Sequence, residues 1–327
     1  MKKAVLVSGI QPTGKLHLGN YLGALKNFVA LQNSSKYECL FFIADLHSLT
    51  EEFIPKEKAK QITELTADFL AAGLNPKKST IFQQSAISSH SELAWILNTI
   101  TPMGELRRMT QFKDKGGEQE TANVGLFAYP TLMAADIILY DAKFVPVGDD
   151  QLQHLELART LARKFNAKFG KMFTEPQPLL TQAPRIMSLD DPNKKMSKSR
   201  PTGCIFLDDS PEEIHKKVMR ATTDSESVIR YDAQNKPGIS NLLRIYSALS
   251  GELIPELENK FAGMNYSELK IGLSNLIANY FAPFRKNKKV ILKNKRLISA
   301  ALASGNKKAQ KISSAKIVKI KSKLGLL

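Results

Sequence analysis

Residues 3–20 read KAVLVSGIQPTGKLHLGN, and this stretch decides the fold. Lys3 to Val7 has the continuous apolar character of a short buried strand, and Gly9, Pro12 and Gly14 mark a turn after it. Leu22, Leu25, Phe28 and Val29 then recur at helical spacing, so a helix begins near Gly19 or Asn20. Working outward, Glu38–Ala44 (ECLFFIA) is a second apolar run, and Ile62, Leu65, Phe69 and Leu70 mark a helix. Thr80 to Gln84 is a third strand. Strand–helix alternation of this kind predicts a parallel sheet with crossover helices.

Further along, Leu93, Ile96, Leu97 and Ile100 give one helical face, to which Trp95 is assigned as core. Thr101–Phe127 is polar and glycine-rich, Tyr129–Tyr140 is helical, Phe144–Val147 is a strand, and Asp150–Phe165 is helical. Five prolines between Pro176 and Pro201 make the next stretch loop-rich, and the strand signals stop there. Ser210-Pro211-Glu212-Glu213 carries the signature of a helix start. The expected fold class is α/β: a Rossmann-type, nucleotide-binding parallel-sheet domain over 1–200, with a small insertion at about 101–128. An all-α helical bundle over 201–327 follows it.

Composition narrows the function. Cys39 and Cys204 are the two cysteines, too few for a disulfide framework or a cysteine-ligated zinc site, and no protein-ligated metal is expected. The apolar run after Lys2 and Lys3 is too short for a signal peptide, and no stretch approaches a membrane span. A cytoplasmic location is expected. The net charge of +16 is unevenly spread. Leu269–Leu327 holds 15 Lys/Arg and no Asp or Glu, whereas the first 268 residues hold 32 basic and 31 acidic residues. A near-neutral body with a polyanion-seeking end is implied.

Three sets of residues carry chemistry. The turn Pro12–Asn20 lies at the carboxyl end of a parallel strand, where open α/β sheets bind ligands. Free amides at a helix start favour phosphate, Gly19 lets a nucleotide approach the backbone, and His17 and Asn20 can donate to developing charge. A histidine merely facing solvent is the alternative. Lys194-Lys195-Met196-Ser197-Lys198-Ser199, within a loop at 192–201, suits a polyphosphate; a solvated basic loop is its alternative. A loop there can close over substrate and reopen. Tyr129, Met133, Asp136 and Tyr140 share one largely apolar helix face, where a carboxylate needs a partner: a ligand, a salt bridge or a cap.

With these residues the sequence resembles the class I aminoacyl-tRNA synthetases, and within them the bacterial tryptophanyl branch. His17-Leu18-Gly19-Asn20 is similar to the HIGH element, with Asn at its last position. Lys195-Met196-Ser197-Lys198-Ser199 reads KMSKS letter for letter. The stretches GIQPTG (9–14), YPTLMAAD (129–136), VPVGDDQ (145–151) and KPGISNLL (236–243) narrow the branch. The resemblance runs from about Val7 to about Gly251.

It implies a two-step reaction: ATP and L-tryptophan give tryptophanyl-adenylate and pyrophosphate, and tryptophan then passes to the 3′ end of tRNA(Trp). By resemblance, His17, Asn20, Lys113, Lys195 and Lys198 act on the phosphates, with Mg²⁺ accompanying ATP. Gln11, Pro12, Thr13, Gly19, Gly148, Asp149, Asp150, Ile186, Met196, Ser197 and Ser199 complete the ATP site. Asp136 accepts the indole N–H, and Val7, Gly9, His47, Tyr129, Met133, Val145, Val147 and Gln151 line the tryptophan pocket. For His47 a packed core histidine is the alternative, and His90, His154 and His215 receive no role. A homodimer is implied by the family.

A tyrosine-specific sister enzyme, a small-molecule adenylyltransferase and a non-catalytic RNA-binding paralogue are the competing readings. The pocket stretch around Asp136, the second lysine motif and the intact His17, Asn20, Lys195 and Lys198 speak against them. In the basic tail, Val290, Ile291, Leu297, Ile298 and Ala301 are expected to pack, with Lys286, Lys288, Lys289, Lys293 and Lys295 outward. Ile317, Ile320 and Leu324 repeat the pattern with Lys316, Lys319 and Lys323 outward, as an RNA-facing surface. A merely soluble basic face is the alternative.

Overall fold

The computed structural model of the chain describes residues 3–110, 112, 123–180 and 184–327. It carries five strands: β1 (Ala4–Ile10), β2 (Tyr37–Ile43), β3 (Thr80–Gln83), β4 (Phe144–Val147) and β5 (Gln177–Leu180). They form one sheet in the order β3-β2-β1-β4-β5. Every pairing is parallel, with Leu6 opposite Cys39, Phe41 opposite Ile81 and Val145 opposite Pro178. The strands read as continuous apolar runs because both faces are covered: Leu6, Leu40, Phe41, Ile43 and Phe82 are all fully buried. The order turns back at β1 and β4, the switch point at whose carboxyl edge such sheets bind ligands.

The helices are α1 (residues 18–33, with a π turn over Tyr21–Leu25), α2 (Pro55–Ala71), α3 (Ser89–Asn98), α4 (Met103–Arg107), α5 (Val124–Ile138) and α6 (Leu152–Phe169). After β5 come α7 (Pro211–Met219), α8 (Pro237–Ser250), α9 (Ile254–Lys260), α10 (Tyr266–Tyr280), α11 (Ala282–Lys293) and α12 (Lys295–Lys323). The expected start at Ser210 is present as a reciprocal cap: Glu213 N–H donates to Ser210 Oγ, and Ser210 N–H to Glu213 Oε2.

Two compact units result: Met1–Gly14, Phe28–Thr181 and Asn294–Leu327 form one, Lys15–Asn27 and Gln182–Lys293 the other. The division differs from the one expected near residue 200, because α12 belongs with the sheet. Its buried stripe runs Ile298, Ala301, Gly305, Ala309, Ser313, Ile317 and Ile320, small residues at its centre. A Cβ on Gly305 would stand 1.7 Å from the Ile81 carbonyl oxygen, and Asn306 Oδ1 accepts from the Gln83 N–H at 2.9 Å. The helix therefore covers the open edge of β3. Gly305→Ala is expected to destabilise the protein by about 3 kcal/mol, because the methyl meets rigid backbone. A melting temperature lower by roughly 4 °C would register this; an unchanged one would contradict the close approach.

Other expectations require correction. β5 lies where only loop was anticipated. Pro178 hides it in sequence, and an edge strand tolerates a residue without an N–H. Trp95 is not core: it is 72% exposed. Val290 and Leu297 are exposed rather than packed, because the helix breaks at Asn294, whose side chain caps the Leu297 N–H and resets the register. Lys288 and Lys316 are not outward. Lys288 is buried against Asp208 at 2.8 Å, and Lys316 lies 2.7 Å from both oxygens of Asp141 while also donating to the Met172 carbonyl. Lys308 pairs with Glu38, Lys321 with Glu92, and Lys323 reaches the Phe169 carbonyl.

Candidate active site: a phosphate cradle and a buried carboxylate

In the second unit, residues 16–18 run antiparallel to residues 205–207: Leu18 N–H donates to the Ile205 carbonyl at 2.9 Å, and Leu207 N–H to that of Leu16 at 3.0 Å. This strap seats His17 at the start of α1, which begins at Leu18. His17 Nδ1 accepts from the Gly19 N–H at 3.1 Å, and Asn20 Oδ1 accepts from the His17 N–H at 3.2 Å. His17 is thus an N-cap with 6% exposure, not a residue loose in solvent. With Nδ1 accepting, the neutral ring carries its proton on Nε2. The reciprocal cap occupies Asn20 Oδ1 and leaves the amide nitrogen to donate.

The lysine motif is held by a short hairpin. Met187 and Lys195 stand opposite each other, flanked by bonds from Ser188 N–H to the Lys194 carbonyl (2.7 Å) and from Met196 N–H to the Ile186 carbonyl (3.0 Å). Met196 is buried and anchors the loop; Lys195 is exposed and Lys198 half-buried. Ser197 Oγ lies 2.6 Å from Ser199 Oγ and accepts from the Ser199 N–H. Ile186 is buried, its Cβ 3.9 Å from where a Cβ on Gly19 would sit.

Electrostatics tie these parts together. Burial, then the charges of Lys198 and Lys195, lower the His17 pKa from 6.5 to about 4. His17 therefore stays neutral at physiological pH and presents Nε2–H as a donor. Because the folded value lies below the unfolded one, the stability linked to His17 is full above about pH 6.5 and declines as pH falls towards 4. An NMR titration of the ring should give a midpoint near 4. A midpoint near 6.5 would contradict the neutral-donor assignment.

In the first unit, α5 places Asp136 at the centre of a buried network, 1% exposed. His47 Nε2 lies 2.7 Å from Oδ2, His90 Nδ1 2.5 Å from Oδ1, and Gln84 Nε2 2.9 Å from both oxygens. Tyr140 Oη is 2.8 Å from His90 Nε2, completing a chain from hydroxyl through imidazole to carboxylate. Burial pushes the Asp136 pKa up, and His47 and His90 together more than offset it, so the carboxyl lies below its ordinary value. Each oxygen has two contacts, the Gln84 amide being shared between them, so a ligand N–H would take over part of the place Gln84 holds.

Val7, Val145 and Val147 are buried in one apolar cluster, against which Tyr129 and Met133, half-buried on the same helix as Asp136, also pack. The Tyr129 hydroxyl lies 2.8 Å from His154 Nε2. Gly9 has a packing reason of its own: a Cβ there would fall 2.6 Å from the Phe42 ring. Beyond β4, Gly148 caps a turn over Asp149–Gln151 that leaves Asp149 and Asp150 exposed, and Gln151 donates to Asp150 at 3.3 Å. Gln11, Pro12 and Thr13 form the turn after β1, closed by Thr13 N–H to the Gln11 carbonyl. Lys113 lies outside the described residues.

A family model described as tRNA synthetases class I (W and Y) matches residues 1–282. The chain belongs to this family. Tryptophan–tRNA ligases of Caldanaerobacter subterraneus and Rickettsia conorii are 48% and 46% identical to the synthetase, covering 98% and 100% of both chains respectively. A tryptophanyl-tRNA synthetase structure from Campylobacter jejuni, complexed with ADP and tryptophan, is 36% identical with a TM-score of 0.84. It covers 98% of this chain and 99% of that one.

Within the synthetase, sequence reasoning missed Gln84 and His90 as partners of Asp136. Both follow β3, whose carboxyl end was the available signal. No local pattern pairs either residue with a carboxylate some fifty positions away.

Proposed function

We propose that the chain ligates L-tryptophan to tRNA(Trp) through an adenylate, with Asp136 reading the indole and the His17–Lys195 cradle acting on ATP. The single observation that carries the specificity is the buried, ionised Asp136, an acceptor-only group on the helix that also carries Tyr129 and Met133. A site built to accept an N–H rejects rings lacking one by up to ~10⁴–10⁵, far more than apolar fit achieves.

The reaction needs little from the protein beyond placement and charge. The tryptophan carboxylate is already an anion, so it attacks the α-phosphorus without a general base. The new C–O–P linkage forms as the bond to pyrophosphate breaks, and the electron pair leaves with pyrophosphate. His17 Nε2–H and the Asn20 amide donate to phosphate oxygens, while Lys195, Lys198 and Lys113 meet the growing charge of the leaving group. ATP enters as its Mg²⁺ complex, the metal travelling with the substrate's own phosphates. Gly19 and Ile186 accommodate the adenine, and the Gly148–Asp150 turn the ribose. Transfer to tRNA then consumes the adenylate. Charging of a tRNA(Trp) transcript, and not of a tRNA(Tyr) transcript, tests the whole reading; the reverse preference would overturn it.

By the same family reading the protein works in the cytoplasm. None of the described helices is long and apolar enough to cross a membrane. For the homodimer, the exposed apolar side chains Leu49, Phe53, Ile54, Trp95, Met103 and Val124 offer the face to be covered. They ride on α3, α4, the start of α5 and the turn after β2, all packed around α5.

The tRNA-facing role of the basic tail falls on fewer lysines than expected, since Lys288 and Lys316 are committed to internal pairs. Lys307, Lys311 and Lys319 lie on the exposed side of α12 in one i,i+4 row, Ala315 filling the gap. Changing these three to glutamine should weaken tRNA binding and flatten its salt dependence, by up to about three in the log–log slope, with adenylate formation untouched. Parallel loss of adenylate formation would assign the row a structural role instead.

A further inference from the structure

Asn241 stands on α8 with 1% exposure and no part in the roles above. Its carboxamide grips one backbone residue twice: the Met187 N–H donates to Oδ1 at 2.9 Å, and Nδ2 donates to the Met187 carbonyl at 3.0 Å. Met187 is the residue directly opposite Lys195. Because the ladder bonds fall at Ser188–Lys194 and Met196–Ile186, Met187 and Lys195 form the pair that exchanges no hydrogen bonds. The peptide groups of Met187 thus point away from the Lys195 strand, and Asn241 supplies both partners that a third strand would offer.

Two residues on, the Leu189 N–H donates to the Gly203 carbonyl and the Leu189 carbonyl accepts from the Thr222 N–H, so the far end of the strand is tied to backbone while Asn241 alone supplies both bonds at Met187. A cavity of about 290 Å³ opens there, lined by Met187, Pro192 and Asn193 of the hairpin and by Pro237, Ser240 and Arg244 at α8. Where close packing is missing, two well-made hydrogen bonds decide where a strand sits. We propose that Asn241 is a positioning residue for adenylate formation: by fixing the Met187 backbone it sets the placement of Lys195. The inference rests on the role given above to Lys195.

A double-mutant cycle tests it, read by ATP–pyrophosphate exchange with tryptophan binding measured separately. Asn241→Ala is expected to lower kcat about 10- to 100-fold with tryptophan affinity unchanged, the effect of displacing a catalytic group by about 1 Å. In a Lys195→Ala background the same change should alter the rate less than about twofold, since the group it positions is gone. Asn241→Asp keeps the acceptor but sets an oxygen against the Met187 carbonyl, and should behave like Asn241→Ala. If Asn241→Ala does not fold, Asn241→Ser takes its place in the cycle. Equal rate losses in the two backgrounds, or tryptophan affinity falling in step with kcat, would overturn the inference alone. A Lys195→Ala enzyme running at full rate would overturn the role of Lys195 and this inference with it.

Discussion

Replacing Lys195 by alanine is expected to slow adenylate formation by about 10²–10³-fold while leaving tryptophan affinity within about twofold. The fold should not suffer, because the side chain is exposed and the hairpin is held by backbone bonds on either side and by buried Met196. What is lost is a positive charge aimed at the leaving pyrophosphate. That interaction strengthens only as the bond to the α-phosphorus breaks, so the loss belongs in kcat and not in ground-state binding. Single-turnover exchange beside equilibrium tryptophan binding separates the two. Equal losses in both would place Lys195 in the structure of the pocket. The His17 pKa supplies an independent reading: removing a charge that depresses it should move the ring's midpoint upward from about 4.

Asp136→Asn is expected to lower kcat/KM for tryptophan by about 10²-fold or more and to destabilise the protein by about 2–4 kcal/mol. His47, His90 and Gln84 all point donors at this carboxylate. An amide offers them one oxygen and one NH₂ group, so at least one buried donor is left facing another, and the acceptor for an indole N–H goes with it. The pH dependence has a definite sign. With the folded pKa below the ordinary carboxylate value, the stabilisation from ionised Asp136 is full above about pH 4 and is lost as pH falls through the folded value. The amide variant has no such component, so the acid limb of its stability profile should be shallower. An unchanged limb, or unchanged kcat/KM, would remove Asp136 from the specificity argument.

How much of this was visible in the sequence depended on range. The apolar runs of β1 to β4 and the cap at Ser210 were legible because each is a local pattern. The shared face of Tyr129, Met133 and Asp136 was legible for the same reason. β5 was hidden by Pro178, which only an edge position excuses. The basic tail misled in a particular way. Its charge was plain, but nothing in the local sequence marks Gly305 and Asn306 as the contact that closes the β3 edge. Lys316 and Lys288 looked like outward charges because their partners, Asp141 and Asp208, lie 175 and 80 positions away. His90 and Asn241 escaped notice likewise, since each acts on a group brought near only by the fold.

We propose that this synthetase recognises an indole through Asp136 and activates tryptophan through the cradle around His17 and Lys195. Amino-acid-dependent ATP–pyrophosphate exchange tests that most directly. Rapid exchange is expected with tryptophan and, with tyrosine or phenylalanine, exchange lower by several orders of magnitude. Exchange that ran as well with tyrosine would contradict it.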